Sequence, residues 1–293
     1  MEKYKVVIIG SGIAGMSSAI YLKRGGVDPL IIEASAPGGA LNVIPNIENY
    51  PGYVNISGPD LAMNIYNQVN DLGIKYYLKK IKKIDLENKV IDDIISFDYL
   101  IIATGRRHKL LNLSGEENLI GRGVSTCALC DGAFYKGKEV VVVGGGSSAL
   151  SESLYLSNIC KKVTLVHRKN FFRGEDYLER KVKSASNIDI IYNVNIKKYN
   201  VLNNMLTSVT LDNGKVIKAD GVFLAIGSLP NSELFEVQKD NGYIVVNDHY
   251  ETSMKNVYAV GDVIKKDMYQ LVTASSDGAK AAFNIIEDIK KED

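Results

Sequence analysis

The sequence predicts an α/β chain built from two three-layer units, and three observations predict it. Short aliphatic runs alternate with amphipathic stretches. The pattern G-x-G-x-x-[G/A] occurs twice, each time between an apolar run and an amphipathic one. In both copies the next apolar run ends 18 residues past the last small residue of the pattern, at Glu33 and at His167. Such alternation marks parallel strands joined by crossover helices.

In chain order, strands are expected over residues 5–9, 29–32, 99–103, 139–143, 162–166 and 221–225. These are the β-branched and aliphatic runs that parallel sheets bury on both faces. Amphipathic stretches over 14–24, 58–72 and 147–157 are the helices between some of them. Residues 34–59 hold four of the six prolines and read as long ordered loops. Leu41, Val43, Ile44, Ile47, Tyr50 and Tyr53 make that stretch too apolar for a linker, so it is expected to cover a ligand.

The repeat identifies the two units as Rossmann-like dinucleotide-binding folds. The first copy is Gly10-Ser11-Gly12-Ile13-Ala14-Gly15; the second is Gly144-Gly145-Gly146-Ser147-Ser148-Ala149. In this pattern the first glycine permits a tight turn and the second lets backbone N–H groups reach a pyrophosphate. The third small residue lets helix and strand pack closely, and the helix start adds partial positive charge. Farther on, each copy has a strand closing on glycine, YLIIATG at 99–105 and VFLAIG at 222–227.

The second strand ends discriminate the ligands. Glu33 suits the ribose hydroxyls of FAD or NAD and would repel a 2′-phosphate. The second copy has His167-Arg168-Lys169 there, with Arg173 beyond, so it reads as an NADPH site. A partner that accepts the hydride is then needed, and FAD in the first copy is the economical choice. YAVGDV at 258–263 contributes a strand-end carboxylate, Asp262, for a ribityl hydroxyl.

At 293 residues, 46% hydrophobic and 24% charged, the chain has the make-up of a folded globular protein with room for two cores. Lys and Arg number 35 against 34 Asp and Glu, so no general attraction to nucleic acid or to an acidic membrane is expected. With no signal-peptide core and no run of 18 apolar residues, the expected location is the cytoplasm. Of three cysteines, two form Cys127-Ala-Leu-Cys130 and one, Cys160, stands apart. No second close pair exists to complete a zinc site, so no metal is expected. Asp131 directly after the pair is awkward in an apolar core, and a redox-active dithiol is favoured.

The segments GSGIAG, PGGAL followed by IENYPG, CALCDG, GGGSSALSESLYLSN, VHRKNFFR and YAVGDV make the chain resemble, over its full length, the low-molecular-weight, bacterial-type thioredoxin reductases. The resemblance implies an FAD domain from residues 1–108 and 240–293. An NADPH domain over 109–239, carrying the Cys-x-x-Cys, is inserted into it. It further implies a homodimer that passes electrons from NADPH through FAD and the dithiol to a thioredoxin-like disulfide protein. Cys130 resembles the flavin-proximal cysteine, Cys127 the interchange cysteine that attacks the partner disulfide, and Asp131 the acid/base. FAD would be lined by Gly10, Ser11, Gly12, Ile13, Ala14, Gly15, Glu33, Ala34, Gly38, Gly39, Ala40, Leu41, Asn49, Thr104 and Gly105, and by Asp262, Val263, Tyr269, Gln270 and Leu271. NADPH would be held by Gly145, Gly146, Ser147, Ser148 and Ala149, with His167, Arg168, Lys169 and Arg173.

Three positions depart from the common family pattern: Ala40 and Tyr269, where Gln and Arg are frequent, and Lys169 for a second Arg. A second reading keeps the flavin and dithiol but takes NADH, ferredoxin or flavodoxin as donor, or another disulfide protein as acceptor. A third is a non-enzymatic, flavin-dependent redox sensor or interaction protein. Because Cys130 lies 14 residues before Gly144 while the first fingerprint is far upstream, the inserted domain is expected to swing. Its hinges are expected near 106–114 and 228–242.

Overall fold

Runs of Val, Ile and Leu cannot face water on either side of a pleat, and here they form strands covered on both faces. The computed structural model describes residues 1–44 and 47–292, with the backbone alone for Cys130 and Glu292. The chain begins β1 (Glu2–Ile9), α1 (Ile13–Arg24), β2 (Pro29–Glu33), α2 (Gly58–Asp71), β3 (Lys75–Leu78), β4 (Ile84–Asp85), β5 (Val90–Ile91) and β6 (Ile95–Ile102). It continues with β7 (Arg106–His108), α3 (Glu116–Leu119), β8 (Val124–Ser125), α4 (Ala128–Asp131), β9 (Glu139–Gly144), α5 (Ser147–Ser157) and β10 (Lys162–His167). Then come α6 (Asp176–Ser184), β11 (Ile188–Tyr192), β12 (Ile196–Leu202), β13 (Met205–Leu211), β14 (Val216–Lys218) and β15 (Gly221–Ala225). The last elements are β16 (Ser228–Pro230), β17 (Lys239–Asp240), β18 (Tyr243–Ile244), β19 (Val257–Ala259) and α7 (Leu271–Glu292).

Two compact units result. The first is Met1–Arg107 with Leu229–Asp293; the second is His108–Ser228. The return to the first unit comes at 228/229 rather than at the expected 239/240. The cause is packing: Phe235 and Ile244 are buried in the same cluster as Val7, Ile9 and Leu100.

In the first unit the sheet runs β3-β2-β1-β6-β5-β4, with β19 on β6. Strands β3, β2, β1, β6 and β19 are mutually parallel. Val6 and Ile8 face one cluster, with Met16 of α1, Leu61 of α2 and Ile285 of α7; Val7 and Ile9 face the other. Each such buried side chain stabilises the fold by roughly 1.5–3 kcal/mol relative to exposure. The Ser57 hydroxyl opens α2 by accepting the Asp60 N–H at 3.1 Å. Within residues 34–59 lie a 3₁₀ turn, Gly39–Val43, and an isolated bridge between Ile47 and Ile56. Leu41 and Ile47 are buried there, whereas Val43 is exposed.

The second unit repeats the plan. Its parallel sheet runs β11-β10-β9-β15-β8. On one face α5 and α6 supply Ala149, Leu150, Leu156 and Val182. On the other, the antiparallel sheet β12-β13-β14 supplies Tyr199, Leu206, Val209 and Leu211, which completes three layers. Among the described residues no helix is long and apolar enough to cross a membrane. No group of three or more His, Cys, Asp or Glu among them is placed to hold a metal ion.

Candidate functional site

Strand order decides where a ligand can sit in each unit. In the first, the chain proceeds outward from β1 through β2 to β3 and then returns to β6 on the other side of β1. The crevice at the carboxyl ends of β1 and β6 is therefore the binding position of such a sheet. The registers Ile9↔Ile32, Ile9↔Ile102 and Ala259↔Ile102 bring Gly10–Gly15, Glu33, Thr104, Gly105 and Asp262 to that one edge.

Two glycines there are dictated by packing. Gly10 has φ +101°, and a Cβ on it would lie 2.4 Å from the Ala103 oxygen. A Cβ on Gly15 would lie 2.0 Å from the Gly10 oxygen. Gly12 differs, since a Cβ there meets nothing within 4 Å. The turn is closed on the protein side and open on the ligand side. Glu33 is held in place: its Oε2 accepts the Ser11 N–H and hydroxyl, both at 2.8 Å, and its Oε1 accepts the Ser35 N–H at 3.0 Å.

Gly38 donates its N–H to the Ser11 oxygen at 2.8 Å, tying the 38–41 turn to the fingerprint. Ala34, Gly39 and Ala40 are exposed and Leu41 is buried. Thr104 and Asn231 lock their backbones to each other's side chains at 2.6 and 2.9 Å. Asn49 donates to the Gln270 side chain at 3.1 Å.

Around Asp262 lies a charge network that sequence reading did not find. Arg106 Nε is 3.2 Å from Asp262 Oδ2, and the Arg106 guanidinium lies 4.4 Å from the centre of the Tyr269 ring. A cation thus stands beside position 269 although Tyr occupies it. Lys266 pairs with Asp277 at 2.8 Å. Asp277 in turn accepts the Gly261 N–H at 3.2 Å and the Tyr250 hydroxyl at 3.1 Å, fixing the turn that presents Asp262 and the buried Val263. Burial, then the Asp277 charge, push the Tyr250 hydroxyl up to about 12. Asp262 Oδ1 lies 3.7 Å from Lys266 Nζ but is buried without a hydrogen-bond partner, so it can still accept a ligand hydroxyl. A signal for Asp277 existed: it is the acid within the helical stripe Ala274, Gly278, Ala281, Ala282, Ile285.

The second unit has the same switch point, between β9 and β15, with Gly144↔Ala225 and Val143↔Val166 in register. Gly145 is buried because the His167 ring lies on it; a Cβ there would sit 2.1 Å from the imidazole. Gly146 again faces open space. The His167 imidazole is held below its ordinary value, first by burial and then by Arg173, Arg168 and Lys169, against a hydrogen bond to the Phe171 backbone. His167 therefore shapes the turn as a neutral ring. The cations are Arg168 and Arg173, both exposed, and Lys169, which lies over the Phe171 ring at 5.2 Å. Among the described residues no carboxylate pairs with any of the three. The Arg173 N–H to the Gly145 oxygen, at 2.7 Å, brings the cluster to the glycine turn.

Strand β8 is parallel to β15, so its carboxyl end opens on the same edge as that turn. There Ser125 Oγ accepts the Cys127 N–H at 3.1 Å and donates to the Cys127 oxygen at 3.2 Å. The Asp131 N–H closes the α4 turn on the same oxygen at 3.1 Å. Cys127 is disulfide-bonded; the Cys130 side chain, expected to be the flavin-proximal thiol, lies outside the described residues. Leu129 and Phe134 beside the pair are exposed. Cys160 is free and buried, and burial pushes its thiol up to about 11. It should resist iodoacetamide in the folded protein at pH 8, and rapid labelling found by peptide mapping would contradict this burial.

With this geometry in place, comparison with known proteins is informative. A model of the family described as pyridine nucleotide-disulphide oxidoreductase matches residues 4–278. The chain is 39% identical over 295 residues to the thioredoxin reductase of Bacillus subtilis, covering 96% of this chain and 93% of that one. Among solved structures, the thioredoxin reductase of Streptococcus pyogenes is 36% identical with a TM-score of 0.80, over 99% of both chains. The ferredoxin-flavin thioredoxin reductase of Clostridium acetobutylicum is 30% identical with a TM-score of 0.55, again over 99% of both.

Proposed function

The chain belongs to the pyridine nucleotide-disulphide oxidoreductase family, and on that premise we propose that it is a flavoprotein that reduces a thioredoxin-like disulfide with electrons from NADPH. The observation that carries this reading is one of placement: a disulfide-bonded Cys127 and a nucleotide turn ringed by three cations open on one edge of one sheet. The names of the relatives, thioredoxin reductases, support the choice of partner. By the same resemblance the protein is a cytoplasmic homodimer.

FAD fits the first cradle, where Gly12 leaves open space and Asp262 Oδ1 accepts no hydrogen bond. When bound, FAD supplies two-electron transfer between a nicotinamide and a disulfide. The turn from Gly10 to Gly15 presents backbone N–H groups to the pyrophosphate. Glu33, fixed by Ser11 and Ser35, accepts ribose hydroxyls without reorienting. In the second unit Arg168, Arg173 and Lys169 would hold a 2′-phosphate, the two guanidinium groups as hydrogen-bond donors and the ammonium as a point charge. Once reduced, Cys127 attacks the partner's disulfide as a thiolate, and Asp131 exchanges the proton. Exposed Leu129 and Phe134 offer the partner an apolar contact beside the reacting sulfur.

Anaerobic titration tests the reading. NADPH should bleach the visible flavin band stoichiometrically, NADH far more weakly, and reduced ferredoxin not at all. The double change Arg168→Ala with Arg173→Ala should raise KM for NADPH by about 10- to 100-fold, the loss of one or two charge-assisted hydrogen bonds, and leave KM for NADH nearly unchanged. A colourless protein sinks the flavin assignment, and equal bleaching by NADH sinks the donor assignment.

A further inference from the structure

Glu152 of α5 stands beside the start of α4. Its carboxylate accepts the backbone N–H of Ala128, the residue after Cys127, while its Oε2 is buried without a hydrogen-bond partner. The packing leaves this contact no freedom. Ala128 is buried, and a Cβ on Gly132, just past α4, would lie 2.9 Å from Tyr155 and 3.1 Å from Leu156 and Ile159 of the α5 region. The face of α5 that carries Glu152 is thus pressed on the short turn that bears the dithiol. Nothing in the proposed reaction has yet used this acid.

Burial pushes the Glu152 carboxyl up to about 7, against the Ala128 N–H, which favours the charged form. The titratable groups on the elements packed against α5 are Cys127 and Asp131 beside it, Asp176, Tyr177, Glu179, Arg180, Lys181 and Lys183 on α6, Glu139 on β9, and Lys162 and His167 on β10, with Tyr155 on α5 itself. None contributes to the displacement. Glu179 is spent on Lys183 at 2.6 Å and Lys162 on Asp189 at 2.7 Å. The acid is therefore placed to respond to the adjacent segment whose charge changes during turnover, the one that carries the cysteine pair.

We propose that Glu152 is a positioning residue for the redox dithiol: through the Ala128 amide it fixes the segment carrying Cys127, and it holds a proton while a neighbouring sulfur is a thiolate. The inference rests on the reading of Cys127 and Cys130 as the working pair. Two-electron reduction by a dithiol such as dithiothreitol breaks the S–S bond, and the reductant closes to its own disulfide and gives up two protons. If both sulfurs end as thiols, both protons stay on them. If one ends as a thiolate, its proton settles on Glu152, because a negative charge on the adjacent segment opposes ionisation of this buried carboxyl.

The test uses the full-length holoprotein and its Glu152→Gln variant, whose amide oxygen still accepts the Ala128 N–H. Both are reduced with dithiothreitol, and the iodoacetamide rate at Cys127 is read by mass spectrometry from pH 5.5 to 9. The natural protein should show a step near pH 7 in its profile. Glu152→Gln should lose that step and react about three- to tenfold faster above pH 7.5, where the natural carboxylate would oppose the thiolate. Superimposable profiles overturn the proposal. If the variant does not fold, the reduced-minus-oxidised infrared spectrum of the natural protein decides: a gain in protonated carboxyl at pH 7.5 supports the proposal, and no gain overturns it. Failure of NADPH to reduce Cys127 at all would instead overturn the functional reading, so the two failures are distinguishable.

Discussion

Cys127→Ser abolishes NADPH-driven reduction of a thioredoxin disulfide, by a factor on the order of a thousand or more, yet leaves bleaching of the bound flavin by NADPH intact. The two halves of the outcome follow from where the residues sit. The nucleotide is bound by the turn from Gly145 to Ala149 and its cations, and hydride passes from nicotinamide to flavin, so this half-reaction uses no sulfur chemistry. Disulfide exchange does need it: a serine hydroxyl is not ionised at neutral pH and cannot form or resolve a mixed disulfide. The replacement is nearly isosteric, and the frame around position 127 is made by Ser125 and the Asp131 N–H through the backbone. The fold should therefore persist. Turnover is read with a thioredoxin-coupled thiol assay and the flavin half-reaction by stopped-flow absorbance. Retained turnover would remove the dithiol from the mechanism; loss of bleaching in a folded variant would show that the two half-reactions are not separable as argued. A Cys160→Ser control should behave as the natural protein, since that thiol is buried and free.

What could be read from the chain, and what could not, divides along the range of the interactions. Strands β1, β2, β6, β9, β10 and β15 are legible because each contains a run of β-branched or aliphatic residues, and the glycine turns because their spacing repeats. Helix α7 left a faint trace. Its inward stripe is Ala274, Gly278, Ala281 and Ala282, small residues chosen because the backbone of α1 comes so close that a Cβ on Gly278 would lie 2.2 Å from the Ala14 oxygen. Close packing and a strong hydrophobic pattern are here opposed. The sheet β12-β13-β14 hides for another reason: its register shifts between Ile196 and Lys198 and again between Asn200 and Val201, which breaks the alternation that marks a strand. The site divides likewise. Residues within a motif were found, but Arg106, Lys266, Asp277 and Glu152 act on partners brought near only by folding. Arg106 answers a question that Tyr269 had raised, since it places a cation on that ring from more than 160 residues away.

The first fingerprint allows fold and ligand to be separated by two single-methyl changes three residues apart. Gly15→Ala should destabilise the first unit by about 3 kcal/mol or more, because the new Cβ would lie 2.0 Å from the Gly10 oxygen, and that atom is backbone that cannot swing aside. Either α1 lifts from β1 or the turn opens, and in both cases the pyrophosphate site is lost with the packing, so the purified protein should be pale and melt early. Gly12→Ala should leave stability within about 0.5 kcal/mol of the natural apoprotein. Its φ of −69° and ψ of −179° are open to any residue, and no atom lies within 4 Å of the added methyl. The methyl does enter the space kept for the pyrophosphate, where contact is made by backbone alone, and FAD affinity should fall by about 10- to 100-fold, roughly 1.4–2.7 kcal/mol. Urea unfolding of the apoproteins measures the first effect and quenching of flavin fluorescence on reconstitution the second. A Gly12→Ala protein that binds FAD as tightly as the natural one would move the dinucleotide away from this turn. A Gly15→Ala protein of natural stability would mean that α1 and β1 can separate at little cost, contrary to the packing that places Glu33, Thr104 and Asp262 at one edge.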